Sequence, residues 1–253
     1  MRLDADKNEI DGYAIDYIKH DKEDTVRTFR RQKVLEILNC HKPKHILEIG
    51  CGCWSFSEFY HNYDEFLIVE RSERFCNMIR KSKYYNSRIN VLEGFLEEQI
   101  NTIKDKNFDF ILLSGVLHEV PNQTELLSSI KSLCNNNTIL HINVPNNKSF
   151  HLLWAYESGL IQQIGDLTAT ATHFNRHSTF DLSSLIAFVE NAGFKVLDTS
   201  GGSYFMKPFN HAKMTELMKL GIIDENLLDG LNKLTKYFPN NGAEIFVNCK
   251  IAK

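Results

Sequence analysis

His45-Ile46-Leu47-Glu48-Ile49-Gly50-Cys51-Gly52-Cys53-Trp54-Ser55 is the stretch that decides the fold. An apolar run of strand character feeds into a Gly-x-Gly turn, and the residues beyond it read as the start of a helix. Such a turn lets the backbone approach a ligand closely, because nothing projects from the two glycines. Glu48 is the unusual element. A carboxylate at the end of a buried strand is costly unless it is paired, so Glu48 is expected to hydrogen-bond the turn or to face a cationic ligand.

Working outward, Phe66-Leu67-Ile68-Val69 ends in Glu70, an acidic tip that can accept hydrogen bonds from both hydroxyls of a ribose. Asn90–Leu92 leads to Glu93-Gly94-Phe95, where backbone groups and an aromatic face can hold an adenine. Further extended runs at Phe108–Ser114, Thr138–Val144, Phe194–Asp198 and Glu244–Ile251 bring the strands to seven with His45–Gly50. Phe108–Leu113 is almost continuously apolar, as in strands covered on both faces.

Helical patterns lie between the strands. Thr25–Asn39 carries Val26, Phe29, Val34, Ile37 and Leu38 on one side. Gln123–Cys134 buries Leu126, Leu127, Ile130 and Leu133, with Asn122 and Glu125 spaced to cap its first turn reciprocally. A third helix, Leu182–Ala192, stops at Gly193. Strands alternating with helices predict right-handed βαβ units and an α/β, mostly parallel sheet with helices on both faces. Residues 146–179 and 202–241 interrupt the alternation and look partly helical. Together with an N-terminal helical segment at 1–44, they are expected to form a helical cap on one domain spanning 1–253, around a core at 45–145 and C-terminal strands within 180–253.

Composition narrows the function classes. With 43 % apolar and 24 % charged residues the chain is globular, and a net charge of −3 supplies no field for polyanions. Tyr204, Phe205, Phe209, Phe238 and Phe246 read as packing, and no track interleaves arginine with aromatics, so nucleic acid is not an expected partner. The start has no apolar core and no run of about 18 apolar residues occurs. The expected location is therefore the cytoplasm, with no membrane span. Six cysteines without a C-x-x-C pair argue against a disulfide framework or structural zinc. His118, His141, His151, His173 and His177 show no ligand spacing, so no metal is expected.

The chain resembles the class I S-adenosylmethionine (SAM)-dependent methyltransferases. Their first-strand signature, an acidic residue before a glycine-rich turn, reads here as Glu48-x-Gly50-x-Gly52, with Trp54 where the family usually has a further glycine. The likeness extends to Glu70 with Arg71 at the ribose, to Gly94 and Phe95 at the adenine edge, and to Ser114-Gly115-Val116-Leu117-His118-Glu119 after the fourth strand, covering about residues 45–145. It implies a Rossmann-like seven-stranded sheet whose last strand is inserted antiparallel, SAM as cofactor and S-adenosylhomocysteine (SAH) as product. Val144-Pro145-Asn146, His177–Asp181, Ala192-Gly193-Phe194 and Phe205–Pro208 are similar to a bacterial subgroup associated with surface-polysaccharide pathways, through capsule phosphoramidate or nucleotide-sugar chemistry. That likeness implies a small polar acceptor methylated on oxygen.

Other roles are expectations. His118 should reach the carboxyl edge of the sheet, and His177 with Arg176 lies in the expected cap. Either imidazole is a candidate general base for a hydroxyl acceptor, or a partner for an anionic one. Tyr13 and Tyr17, at i and i+4, suit a substrate-contacting face of an N-terminal helix. Arg27, Arg30 and Arg31 read first as a solvated face from which one guanidinium can reach a ligand carboxylate or an anionic acceptor. Cys51 and Cys53 read as small packing residues.

Two alternatives stay open. Gly50-x-Gly52-x-x-Ser55 nearly matches a dinucleotide fingerprint, although Ser55 at the third glycine position and Glu48 favour SAM. Trp54 in the turn also fits a catalytically weak, cofactor-binding partner subunit of another methyltransferase. As partners, a second copy of the chain or such a subunit remain open beside the small-molecule acceptor.

Overall fold

The computed structural model describes residues 24–165 and 178–252, together with Ile10, Gly12, Ala14 and Ile15. Its elements run α1 (Asp24–His41), β1 (His45–Ile49), β2 (Glu65–Glu70), α2 (Glu73–Lys81), β3 (Ile89–Glu93), α3 (Leu96–Ile103), β4 (Phe110–Ser114), α4 (Gln123–Leu133), β5 (Ile139–Pro145), α5 (Phe150–Glu157), α6 (Leu182–Asn191), β6 (Phe194–Tyr204), α7 (His211–Lys219), α8 (Glu225–Lys233) and β7 (Glu244–Ile251). The strands form one sheet in the order β3-β2-β1-β4-β5-β7-β6. β7 pairs antiparallel with both β5 and β6, and every other pairing is parallel.

Both faces are covered because residues pointing to either side of the central strands are mainly apolar. Leu47, Leu67, Ile111 and Leu113 pack with α3, α4 and α6 through Leu96, Ile103, Leu127, Ile130, Leu185 and Val189. Ile46, Phe66, Ile68, Phe110 and Leu112 face α1 and α2 through Val34, Leu38 and Ile79. A third cluster joins Val26 and Phe29 of α1 to Tyr204, Phe205 and Met214, and Phe29 stacks on Phe205 with centroids 4.4 Å apart. One helix thus ties the first strand to the far end of the chain.

The seven expected strands are all present. α2 and α3 were not anticipated: both are short, and α2 depends on a Ser72 cap that accepts from the Phe75 amide. β6 runs six residues beyond its expected end at Asp198, through Ser200-Gly201-Gly202 to Tyr204. Gly201 to Tyr204 are held by pairing with Val247 to Glu244 after a register shift beyond Val196, and glycine propensity does not signal such non-local pairing. The 146–179 interruption contributes α5, and α7 and α8 lie between β6 and β7. No helix among the described residues is long and apolar enough to cross a membrane.

β1 and β4 are neighbours, and the connection from β1 runs to β2 on one side while that from β4 runs to β5 on the other. The resulting crevice at the carboxyl ends is where open α/β sheets bind ligands.

Candidate active site

The β1 turn is a backbone cradle. Gly50 and Gly52 have φ of +70° and +59°, and a Cβ on Gly50 would lie 2.6 Å from Val116 Cγ2, so glycine is required there. Of the two fates expected of Glu48, the structure shows the first. It is 2 % exposed, and its Oε2 accepts from the Ser55 hydroxyl at 2.5 Å and from the Phe56 amide at 3.2 Å. Burial pushes the Glu48 carboxyl up to about 8, against the pull of those two hydrogen bonds and with repulsion from Glu70 and Glu58.

Glu70 closes the other side of the turn. Its Oε2 accepts from the Gly52 amide at 3.0 Å and its Oε1 from the Ser72 amide at 2.8 Å. Burial raises its proton affinity, which the Ser72 and Gly52 amides and Arg71 partly offset. A carboxylate oxygen has two lone pairs, so Oε1 keeps an acceptor position, while Oε2 also accepts from the Cys51 thiol at 3.8 Å. Gly94, at φ +131°, donates its amide to the Glu70 carbonyl and turns the chain into Phe95.

At the end of β4, Gly115 has φ +73°, and a Cβ there would meet Arg30 Nη1 at 2.9 Å. The Ser114 hydroxyl beside it is buried without a hydrogen-bond partner.

These turns surround a cleft of about 220 Å³. Every residue expected to hold the cofactor lines it: Glu48, Gly50 and Gly52 from the first turn, Glu70 and Arg71 from the second, Gly94 and Phe95 from the third, and Ser114 and Gly115 from β4. Arg27, Arg30 and Arg31 line it as well, where a solvated face was the first expectation. Arg31 lies over the rings of Trp54 and Phe59, 4.7 Å and 4.1 Å from their centroids. Arg27 reaches Cys53 Sγ at 3.9 Å. Arg30 grips Glu244 with two nitrogens, one of them at 2.8 Å. Glu244 also accepts from the Tyr204 hydroxyl and from Asn143 Nδ2 at 3.2 Å, so the carboxylate is buried among three donors. Burial, then the adjacent Glu244 charge, hold the Tyr204 phenol well above its ordinary range.

His118 lies at the carboxyl edge as expected, but it does not line the cleft. It lies on the turn after β4 but is 3 % exposed, and the cleft wall there consists of Val116, Glu119, Val120 and Pro121. Its Nε2 is 3.7 Å from Glu119 Oε1. The physical reason is the single 3-10 turn Leu117–Glu119, which directs successive side chains to different sides. Tyr13, Tyr17, Arg176 and His177 lie outside the described residues. Sequence reasoning missed Glu244, Asn143 and the polar role of Tyr204, since only pairing across the sheet brings them together. Among the described residues no group of three or more His, Cys, Asp or Glu side chains is arranged to hold a metal.

A Rossmann-like sheet with one antiparallel strand and a glycine-lined cleft at its switch point defines the class of nucleotide-binding α/β proteins to which SAM-dependent methyltransferases belong. The chain is a member of the methyltransferase domain family, whose pattern matches residues 21–199. No curated protein sequence matches it. Among solved structures it is similar to a SAM-dependent methyltransferase of Thermotoga maritima, with 18 % identity and a TM-score of 0.62 over 94 % of this chain and 97 % of that one. A structure of the Haloferax volcanii Trm112 methyltransferase activator with its methyltransferase gives 12 % identity and a TM-score of 0.60 over 97 % and 98 %. The N-methyltransferase NodS of Bradyrhizobium japonicum, solved with SAH, gives 10 % and 0.55 over 88 % and 86 %. At these identities the likeness is one of fold.

Proposed function

We propose that this protein binds SAM in the cleft and transfers its methyl group to an oxygen of a small polar acceptor. The observation that carries the reading is Glu70: a buried carboxylate aimed into the cleft, its two oxygens fixed by the Gly52 and Ser72 amides. Gly50 and Gly115 let the backbone turn where a Cβ would strike Val116 or Arg30, and the buried Ser114 hydroxyl offers a polar contact, so the residues present suit a nucleoside with an amino-acid tail. When bound, SAM supplies an electrophilic methyl on a cationic sulfonium. The protein's part is to hold the acceptor atom in line at about 3 to 3.5 Å and to keep water out.

Arg27, Arg30 and Arg31 on the cleft side of α1 favour an anionic acceptor, such as a phosphate- or phosphoramidate-bearing intermediate of surface-polysaccharide synthesis. Such an oxygen needs no general base. His118 then acts through Glu119 as a positioning residue. For a neutral sugar hydroxyl, His177 is the proposed base, with Arg176, Tyr13 and Tyr17 as acceptor contacts. A second reading, a cofactor-binding subunit without turnover, draws on Trp54, whose ring at the cleft mouth is covered by the Arg31 guanidinium.

Calorimetry tests the first reading. SAM and SAH should bind and NADH should not. Glu70→Ala should weaken SAH binding by about 1.5 to 3 kcal/mol, the range for hydrogen bonds to a charged group. Binding of NADH alone would restore the dehydrogenase alternative, and SAH binding with no turnover on any phosphate- or hydroxyl-bearing acceptor would favour the subunit reading.

A further inference from the structure

Beyond the cofactor cleft, along the same sheet edge, lies a group of basic side chains that nothing above has used. β6 is parallel to β5, so Tyr204 ends at the carboxyl edge, level with Glu244 and Pro145. Phe205 then takes φ +54°, a left-handed turn secured by its amide on Asn232 Oδ1 at 2.9 Å, and the chain is sent inward to Lys207, which is 5 % exposed.

The Lys207 ammonium lies 3.1 Å from His211 Nε2, in the first turn of α7. An ammonium can only donate, so Nε2 accepts and His211 carries its proton on Nδ1. His151, in the first turn of α5, meets the Ser149 hydroxyl through Nδ1 at 3.0 Å. Burial first, then the charges of Lys207 and His211, push the His151 proton affinity far down. Three basic groups from three segments therefore converge, two of them half-buried around a buried one.

An aromatic surface borders the group. Trp154, three residues after His151 on α5, is 47 % exposed, and its ring centroid is 5.3 Å from that of Phe209, which lies between Lys207 and His211 in the chain. The Arg30–Glu244–Tyr204 network runs from the cofactor cleft, which Arg30 lines, to Tyr204, three residues before Lys207.

We propose that Lys207, His211 and His151 form an oxyanion subsite, and Trp154 with Phe209 a stacking wall, that together hold a phosphorylated, ring-bearing methyl acceptor. This subsite rests on the methyltransferase reading for its purpose but not for its chemistry. Ammonium and imidazole N–H groups supply charge-assisted hydrogen bonds to phosphate oxygens, and an exposed indole face suits a sugar ring.

The test titrates inorganic phosphate and glucose 1-phosphate into the full-length protein at constant ionic strength, with and without SAH. Wild type should bind both, and glucose 1-phosphate more tightly. Lys207→Met should weaken both at least tenfold and Lys207→Arg less than threefold, each leaving SAH affinity within twofold of wild type. Because Lys207 is buried, the more accessible His211→Gln is a second probe and should weaken phosphate binding severalfold. Absence of phosphate binding in wild type, or equal binding in Lys207→Met with SAH binding intact, overturns the subsite. Equal affinity for the two phosphates overturns the stacking wall. If wild type fails to bind SAH yet loses phosphate with Lys207→Met, the methyltransferase reading falls while the subsite stands.

Discussion

The two halves of the ligand-bearing edge are built on different principles. Over β1 and β2 the carboxylates are fixed by backbone and near neighbours: Glu48 by Ser55 and Phe56, Glu70 by Ser72 and Gly52, with separations of 2 to 18 residues. Over β5, β7 and β6 the polar groups are fixed by other side chains far along the chain. Arg30 and Glu244 are 214 residues apart, Asn143 and Glu244 101, and Tyr204 and Glu244 40. The first half is a local cradle that a short motif can encode. The second exists only once the sheet and α1 have assembled, so it can vary in residue type without disturbing the cradle. A fold that keeps one cofactor and changes acceptors would divide its edge in this way.

The largest expected effect attacks the long-range half. Glu244→Gln keeps the shape but leaves the Arg30 guanidinium without its carboxylate, and breaking a buried pair by removing one partner costs about 3 to 5 kcal/mol. Urea denaturation should show that loss, with α1 loosened first because Arg30 and Phe29 both anchor it there. A loss below about 1 kcal/mol would mean that the network is dispensable and that the contrast between the halves is one of geometry alone.

The local half responds to pH. The Glu48 carboxyl is raised to about 8, above an ordinary value near 4.5, because burial disfavours its charge. Below the lower value both folded and unfolded chains hold the proton and Glu48 contributes no pH dependence. Between the two values the folded chain keeps a proton that the unfolded chain has released. Stability therefore falls as pH rises through this window, and the full cost is present above about 8. Glu48→Gln retains an acceptor for Ser55 and Phe56 and removes that slope. The ligand-free variant should gain on wild type by on the order of 3 kcal/mol between pH 5 and pH 9. Glu70 is shifted in the same direction and is common to both proteins, so the difference reports Glu48 together with its coupling to Glu70. Parallel stability curves would show that Glu48 is ionised throughout and that the cradle carries a standing negative charge.

What the sequence disclosed follows the same division. His45–Ser55 announced the first turn because its strand, glycines and acidic residue lie within a few positions, and the cleft-lining residues from Glu48 to Gly115 proposed to hold the cofactor sit where alternation of strands and helices places strand ends. The same logic brought His118 to the carboxyl edge, but arrival there does not say which way a side chain on a one-turn helix points. Arg30 looked like solvated surface because its partner is in β7, and Tyr204 looked like packing because its ring is buried and only its hydroxyl reveals a polar role. β6 appeared to stop at Asp198 because Ser200-Gly201-Gly202 has low strand propensity, and its pairing with β7 cannot be read from either segment alone.

The smallest expected effect is the control for this division. Asn122 Oδ1 accepts from the Glu125 amide at 3.2 Å, and Asn122 Nδ2 donates to Glu125 Oε2 at 2.7 Å, closing the first turn of α4. The spacing of these two residues was legible in the sequence, and the contact involves no strand end. Losing an N-cap costs about 1 kcal/mol, so Asn122→Ala should lower the unfolding free energy measured in urea by that much. SAH affinity should remain within twofold, because α4 reaches the cleft only through the apolar side of Leu126. A tenfold loss of SAH affinity would mean that the α4 N-terminus positions the β4 turn through Gln123, whose Nε2 donates to the Leu117 carbonyl at 2.7 Å. The local cradle would then extend past Gly115 to Gln123, and the boundary between the two halves would have to move from β4 to β5.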